Sequence, residues 1–371
     1  MKTAEEEKRH AEIWRQLRST TELHAASWQR LQAWRARLPH ALLLSGARGL
    51  GKQDLARAFA ASLLCESLQI NGSACGECAA CHWFEQGNHP DFRMLTKEVS
   101  MKAMDKEKSV KAGVSTDKDE KEEKSNRSGQ EIIIDRVREL DEFFAVGSHR
   151  QKSRIILIYP AESLNAAAAN AILKVLEEPP ANTLFLLVSN EPMRLLPTLR
   201  SRCQNLAVPL PDAREAAAFL GASGLNEAAT WLALAGGAPG LAIQLAAKTT
   251  DWAAPLTDAL QRGDRLEVIA TAANLEKALK AVKGENPLPM FMDWTQKWLV
   301  DLNLAVQHLP IRFYLAQRAK IEALAQKSQP VKLTRFYRQL LQLRRESEHP
   351  LNLRLFLEQF FFRYRALFVE S

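Results

Sequence analysis

Two groups of residues have the types and spacing to do chemistry. The first is Gly46-Ala47-Arg48-Gly49-Leu50-Gly51-Lys52-Gln53. A phosphate-binding loop reads G-x-x-x-x-G-K followed by Ser or Thr. Its backbone N–H groups cradle the phosphates, its Lys reaches them, and its final hydroxyl coordinates Mg²⁺. Gly46, Gly51 and Lys52 meet that template. Gln53 does not, so Lys52 could still hold a phosphate while the metal has lost a ligand. The second group is Cys65, Cys75, Cys78 and Cys81, four of the five cysteines, within 17 residues. Clustered cysteines in a cytosolic chain point to metal before disulfide. Cys75-x-x-Cys78-x-x-Cys81, turning at Gly76, brings three thiolates round one ion. Cys65 can close a tetrahedral site, with His82 as a substitute ligand. A closed four-sulfur zinc site is structural.

The loop needs a strand before it and a helix after it. The apolar run Ala41–Ser45 supplies the strand, and a helical pattern over Leu55–Leu64 supplies the helix. Upstream, Trp14, Leu17, Trp28, Leu31 and Trp34 fall at helical spacing and predict one or two amphipathic helices covering a sheet, their rings in the core. A short strand follows His89. Ile134, Val137, Leu140 and Phe144 share one helical face. Arg154–Ile158 and Leu184–Ser189 are continuous apolar runs, the pattern of strands buried on both faces. An ATPase strand at 154–158 should end in two acidic residues that position Mg²⁺ and water. It ends in Tyr159-Pro160, with Glu162 nearby but out of register. Between those strands, the Ala-rich stretch from Ser163 is helical and stops at Pro179-Pro180. Strands alternating with helices predict a mostly parallel sheet covered on both faces.

At 371 residues, two or three domains are expected. The expected division is 1–208, an α/β P-loop domain, then 209–249, a small helical domain, then 250–371, an all-α domain. The Phe-rich stretch after Leu355 should pack partly on its own domain and partly on a neighbouring subunit. Within the first domain, residues 96–130 are dominated by Lys and acidic residues. They are too poor in large apolar side chains to offset their ordering entropy, and read as a flexible surface insertion. The net charge of +7 permits contact with nucleic acid or an acidic protein without establishing either. No apolar run approaches the roughly 20 residues that span a bilayer, and the charged N-terminus lacks the apolar core of a signal peptide. The expectation is a cytoplasmic protein with no membrane partner.

These residues together resemble the family of delta-prime subunits of the bacterial DNA polymerase III clamp loader, in the AAA+ superfamily. The resemblance rests on the defective P-loop, the four clustered cysteines, Asn165 through Pro180 with its Leu-Glu-Glu-Pro-Pro ending, Ser201-Arg202-Cys203, and His349-Pro350-Leu351-Asn352. The charged insertion departs from the family pattern. The resemblance implies an AAA+ domain, a lid (209–249) and a collar (250–371) that joins a pentameric ring. It implies gamma/tau and delta subunits as partners, with the beta sliding clamp and primer-template DNA reached through the complex. It also implies that Arg202, flanked by Ser201 and Cys203, acts in trans as an arginine finger on ATP held by the next subunit, with Arg200 second. In working relatives a lid helix adds an arginine to its own nucleotide; Gly237-Ala238-Pro239-Gly240-Leu241 has none. With Gln53 and Tyr159-Pro160, that implies weak or absent ATP binding by this chain, no hydrolysis, and structural zinc as its cofactor. Two other functions compete: an active ATPase of gamma/tau type, which needs the missing hydroxyl and acidic pair, and a stand-alone zinc-containing DNA-binding protein. The latter would need a compact basic patch, and no helix–turn–helix or finger spacing is present.

Overall fold

A computed structural model describes residues 4–97, 131–145, 153–248, 252–281, 287–346 and 352–368. All but the first two positions of the charged insertion, and His349-Pro350-Leu351, lie outside the described residues. The chain forms two compact units, Met1–Pro211 and Asp212–Ser371.

The first unit is built on a five-stranded, all-parallel sheet. Its strands are β1 (Ala41–Ser45), β2 (Phe92–Leu95), β3 (Arg154–Ile158), β4 (Thr183–Ser189) and β5 (Gln204–Ala207), in the order β2-β3-β4-β1-β5. The predicted runs at 41–45, 154–158 and 184–189 are strands, as their continuous apolarity requires of strands covered on both faces. One face carries Ala41, Leu43, Ile156, Ile158, Phe185 and Leu187. These join a core with the helices Ile134–Ala145 (α5) and Ala166–Glu177 (α6). By strand alternation Leu42, Leu44, Leu186 and Val188 point the other way. There the P-loop helix α3 (Lys52–Leu64) packs on β1, β3 and β4.

The two N-terminal helices, α1 (Ala4–Leu23) and α2 (Ala25–Ala33), differ from expectation in what they cover. They pack on α3, as an outer layer one helix removed from the sheet. Trp14, Leu17, Trp28 and Leu31 are buried, so the Trp14 and Trp28 rings are core, while Trp34, also expected there, is only half-buried. Helix α6 opens on Asn165, whose side chain accepts the Ala168 N–H at 2.8 Å. Such a cap contributes about 1 kcal/mol.

The second unit is helical. One hydrophobic core runs through it, from Leu220 and Leu232 to Trp298, Phe360 and Tyr364. Tyr364 and Asp301 are paired polar groups of this core, whereas the buried Trp252 and Trp294 indole N–H groups have no hydrogen-bond partner among the described residues. Tyr364 accepts from Trp298 Nε1 at 2.8 Å and donates to the Leu260 carbonyl at 2.6 Å. Asp301, fully buried at 0% exposure, accepts backbone N–H bonds from Arg312, Phe313 and Tyr314 at 2.7–3.2 Å. In the terminal helix Phe356, Phe360 and Phe361 enter this core while Leu355 and Phe362 are exposed. No single helix among the described residues is long and apolar enough to cross a membrane.

Candidate functional site

The P-loop leaves β1 at its carboxyl end and closes on α3, whose first residue is Lys52. Two glycines are demanded here. Gly46 has φ 153°, and a Cβ on it would meet the Val208 carbonyl oxygen at 2.6 Å; Gly51, at φ 77°, lies in the left-handed region. The N-terminal helices grip the loop from outside. The Thr20 methyl stands against Gly51, the buried His24 donates from Nε2 to the Leu50 carbonyl at 2.6 Å, and Gln16 donates to Asp54 at 2.9 Å. Burial pushes the His24 imidazole below its ordinary value.

Lys52 is 2% exposed. Its Nζ donates to the Ala47 carbonyl at 2.6 Å, within the loop itself, and to Asn190 Oδ1 at 2.8 Å. Asn190 directly follows β4, so it stands at the same carboxyl edge as the loop. It is held in turn by Glu162: the Asn190 backbone N–H reaches the carboxylate at 3.1 and 3.3 Å, and its Nδ2 at 3.2 Å. Burial brings the Lys52 ammonium down to about 8, and the Glu162 charge works against that fall. The acidic residue that looked out of register in sequence therefore serves the loop indirectly, through Asn190. Sequence reasoning missed Asn190. The available signal was a polar side chain at the carboxyl end of a buried strand, where open α/β sheets place their ligand-facing groups.

Ser201-Arg202-Cys203 lies at the other end of the sheet. Helix α7 (Pro197–Arg202) feeds β5 at its amino end, and Gln204 pairs with Leu42 while Ala207 pairs with Ser45. The register separates Arg202 from the P-loop edge by at least about 10 Å along the strands. Arg202 Nη2 donates to Glu177 Oε1 at 2.6 Å and Nη1 to the Thr198 carbonyl at 3.1 Å. Both partners in the ion pair are accessible, 35% and 52% exposed. Arg200 turns back to the Pro192 carbonyl and Met193. Ser201 Oγ donates to the Thr198 carbonyl. Cys203 is buried in the sheet core, and burial pushes its thiol up to about 12.

The four clustered cysteines converge. Cys65 Sγ is 3.6 Å from Cys75 Sγ and 3.9 Å from Cys78 Sγ, and Cys75 Sγ is 3.9 Å from Cys81 Sγ. A tetrahedral ion with 2.3 Å bonds to sulfur needs separations of about 3.8 Å, so these residues fit zinc. The Cys75 N–H points at Cys65 Sγ, and the Glu77 and Cys78 N–H groups at Cys75 Sγ. Burial raises the Cys75 thiol, but those N–H donors outweigh it and bring it down to about 7. Burial raises Cys81 and Cys65. His82 lies outside the thiol cluster and groups with His10 and Glu85 instead.

A family model described as "DNA polymerase III, delta subunit" matches residues 24–211. The DNA polymerase III subunit delta' of Pseudomonas aeruginosa is 33% identical over 335 residues, covering 88% of this chain and 91% of that protein. The DNA polymerase III subunit tau of Salmonella typhimurium is 31% identical over 167 residues, 45% of this chain and 21% of tau. Among solved structures, a gamma subunit-related protein of Thermotoga maritima aligns over 92% of this chain and 99% of its own. Its identity is 14% and its TM-score 0.43.

Proposed function

The chain belongs to the family of DNA polymerase III delta' subunits, and from that premise we propose that it works as the clamp-loader subunit that does not hydrolyse ATP. In this reading it supplies Arg202 in trans to ATP on a neighbouring gamma/tau subunit, and with delta helps place the beta sliding clamp on primer-template DNA. Residues 209–249 act as lid and 250–371 as collar. The observation that carries the reading is the placement of Arg202 at the edge of the sheet opposite the P-loop of its own chain. A guanidinium stabilises charge on a transferring phosphoryl group by direct contact. From that edge, the phosphate it serves belongs to another chain.

The P-loop supports the same reading from the other side. Lys52 is spent on Ala47 and Asn190, Gln53 offers no hydroxyl for Mg²⁺, and the strand that should bring acidic residues brings Tyr159-Pro160. Zinc on Cys65, Cys75, Cys78 and Cys81 is structural and braces the segment between α3 and β2.

Two substitutions in the assembled loader test this. Arg202→Ala lowers ATP turnover by the thousandfold order expected of a lost arginine finger at that one interface, while Lys52→Ala leaves turnover unchanged. Unchanged turnover with Arg202→Ala overturns the assignment. Hydrolysis by the isolated chain, abolished by Lys52→Ala, makes it instead an ATPase of the gamma/tau type.

A further inference from the structure

Beside the four cysteines stands a second set of ligating groups: His10, His82 and Glu85. His82 and Glu85 are three residues apart on the helix Ala79–Glu85 (α4), so they share one face. That helix begins directly after Cys78, and Cys81 lies one residue before His82. His10 comes from α1, across the packing interface. Its Nδ1 contacts Glu85 Oε2, and its ring centroid is 5.1 Å from that of His82. One ligand atom from each of the three lies within 4.8 Å of the others. The group is half-buried, with His10 at 22% and Glu85 at 13% exposure, so an ion reaches it from solvent and keeps water.

We propose that His10, His82 and Glu85 form a second divalent transition-metal site, separate from the thiol cluster. The direct contact of His10 with Glu85 joins two of these groups, whereas a divalent ion joins all three. Two imidazoles and one carboxylate with open positions suit zinc or cobalt. An ion of that size holds its ligand atoms about 3.4 Å apart, so His10 and Glu85 open from their direct contact to admit it. The site has a mechanical meaning. Helix α1 also carries Trp14, whose ring packs on Gly76 of the cysteine turn, and Gln16 and Thr20, which hold the P-loop helix and loop. An ion at His10 staples α1 to α4, and through α1 ties the cysteine knuckle to the P-loop.

The test uses the full chain, stripped of metal and titrated with zinc or cobalt, with bound metal counted per chain. Wild type takes two ions. The first gives the intense sulfur-to-cobalt absorption of thiolate ligation, and the second adds only weak ligand-field bands. His10→Ala, His82→Ala and Glu85→Gln each lose the second ion and keep the first; Cys78→Ser loses the first. His10→Ala sits outside the knuckle, so it remains decisive if His82→Ala unfolds the segment. The second ion also slows tryptic cleavage at Lys8 and Arg9 in wild type and not in Glu85→Gln. One ion per chain at saturating zinc, or a second ion that survives His10→Ala, overturns the site.

Discussion

Arg202 and Lys52 are both cationic and both committed within the chain, but on different terms. The Arg202–Glu177 pair is exposed, and such pairs contribute under about 1 kcal/mol. It parks the guanidinium without holding it. Glu177→Gln is therefore expected to leave stability unchanged and loader turnover unchanged or raised by up to about fivefold, measured by ATP hydrolysis of the assembled complex. A fall in turnover would mean Glu177 helps aim the guanidinium. Lys52 is buried, and its pKa in the fold is near 8 against 10.5 when unfolded. Between those values the unfolded chain holds more protons, so stability rises with pH across that window, by up to roughly 3 kcal/mol. Denaturant unfolding from pH 8 to 10.5 should show the rise in wild type and lose it in Lys52→Met.

At the scale of elements, strand ends and helix ends do the positioning. The P-loop, Asn190 and Glu162 meet because β1, β4 and β3 are parallel neighbours that end together. Arg202 is excluded from that meeting because α7 enters β5 from the opposite edge. In the second unit the turn at Arg312–Tyr314 has its N–H groups tied to one carboxylate, Asp301. Asp301→Ala strands those donors, the Tyr314 N–H among them buried, at a cost of about 3 kcal/mol. Thermal unfolding should register it as a lowered midpoint for the second unit, and a shift too small to resolve would mean solvent replaces the carboxylate.

At the scale of the whole molecule, two units with separate cores carry separate dependences. The cysteine site joins the end of α3 to α4 and lies wholly in the first unit. Because ligand thiolates and metal bind only in the folded arrangement, metal affinity is folding free energy. Cys78→Ser should release zinc, by elemental analysis, and lower the unfolding transition of the first unit while leaving that of the second in place. Metal absent from the wild-type chain would end the zinc assignment.

Much of this was legible in the residues. Buried strands announce themselves by unbroken apolar runs, so β1, β3 and most of β4 were placed from sequence. The loop was placed by Gly46, Gly51 and Lys52, and the thiol cluster by its spacing, because such local patterns demand particular residue types at short range. The packing of α1 and α2 on α3 rather than on the sheet was not legible. Nor were the Lys52–Asn190–Glu162 chain, the Arg202–Glu177 pair and the approach of His10 to Glu85. Those contacts join residues 25 to 138 positions apart. Only strand order and the packing of helices bring them together, since local spacing carries no information about which distant side chain becomes a neighbour.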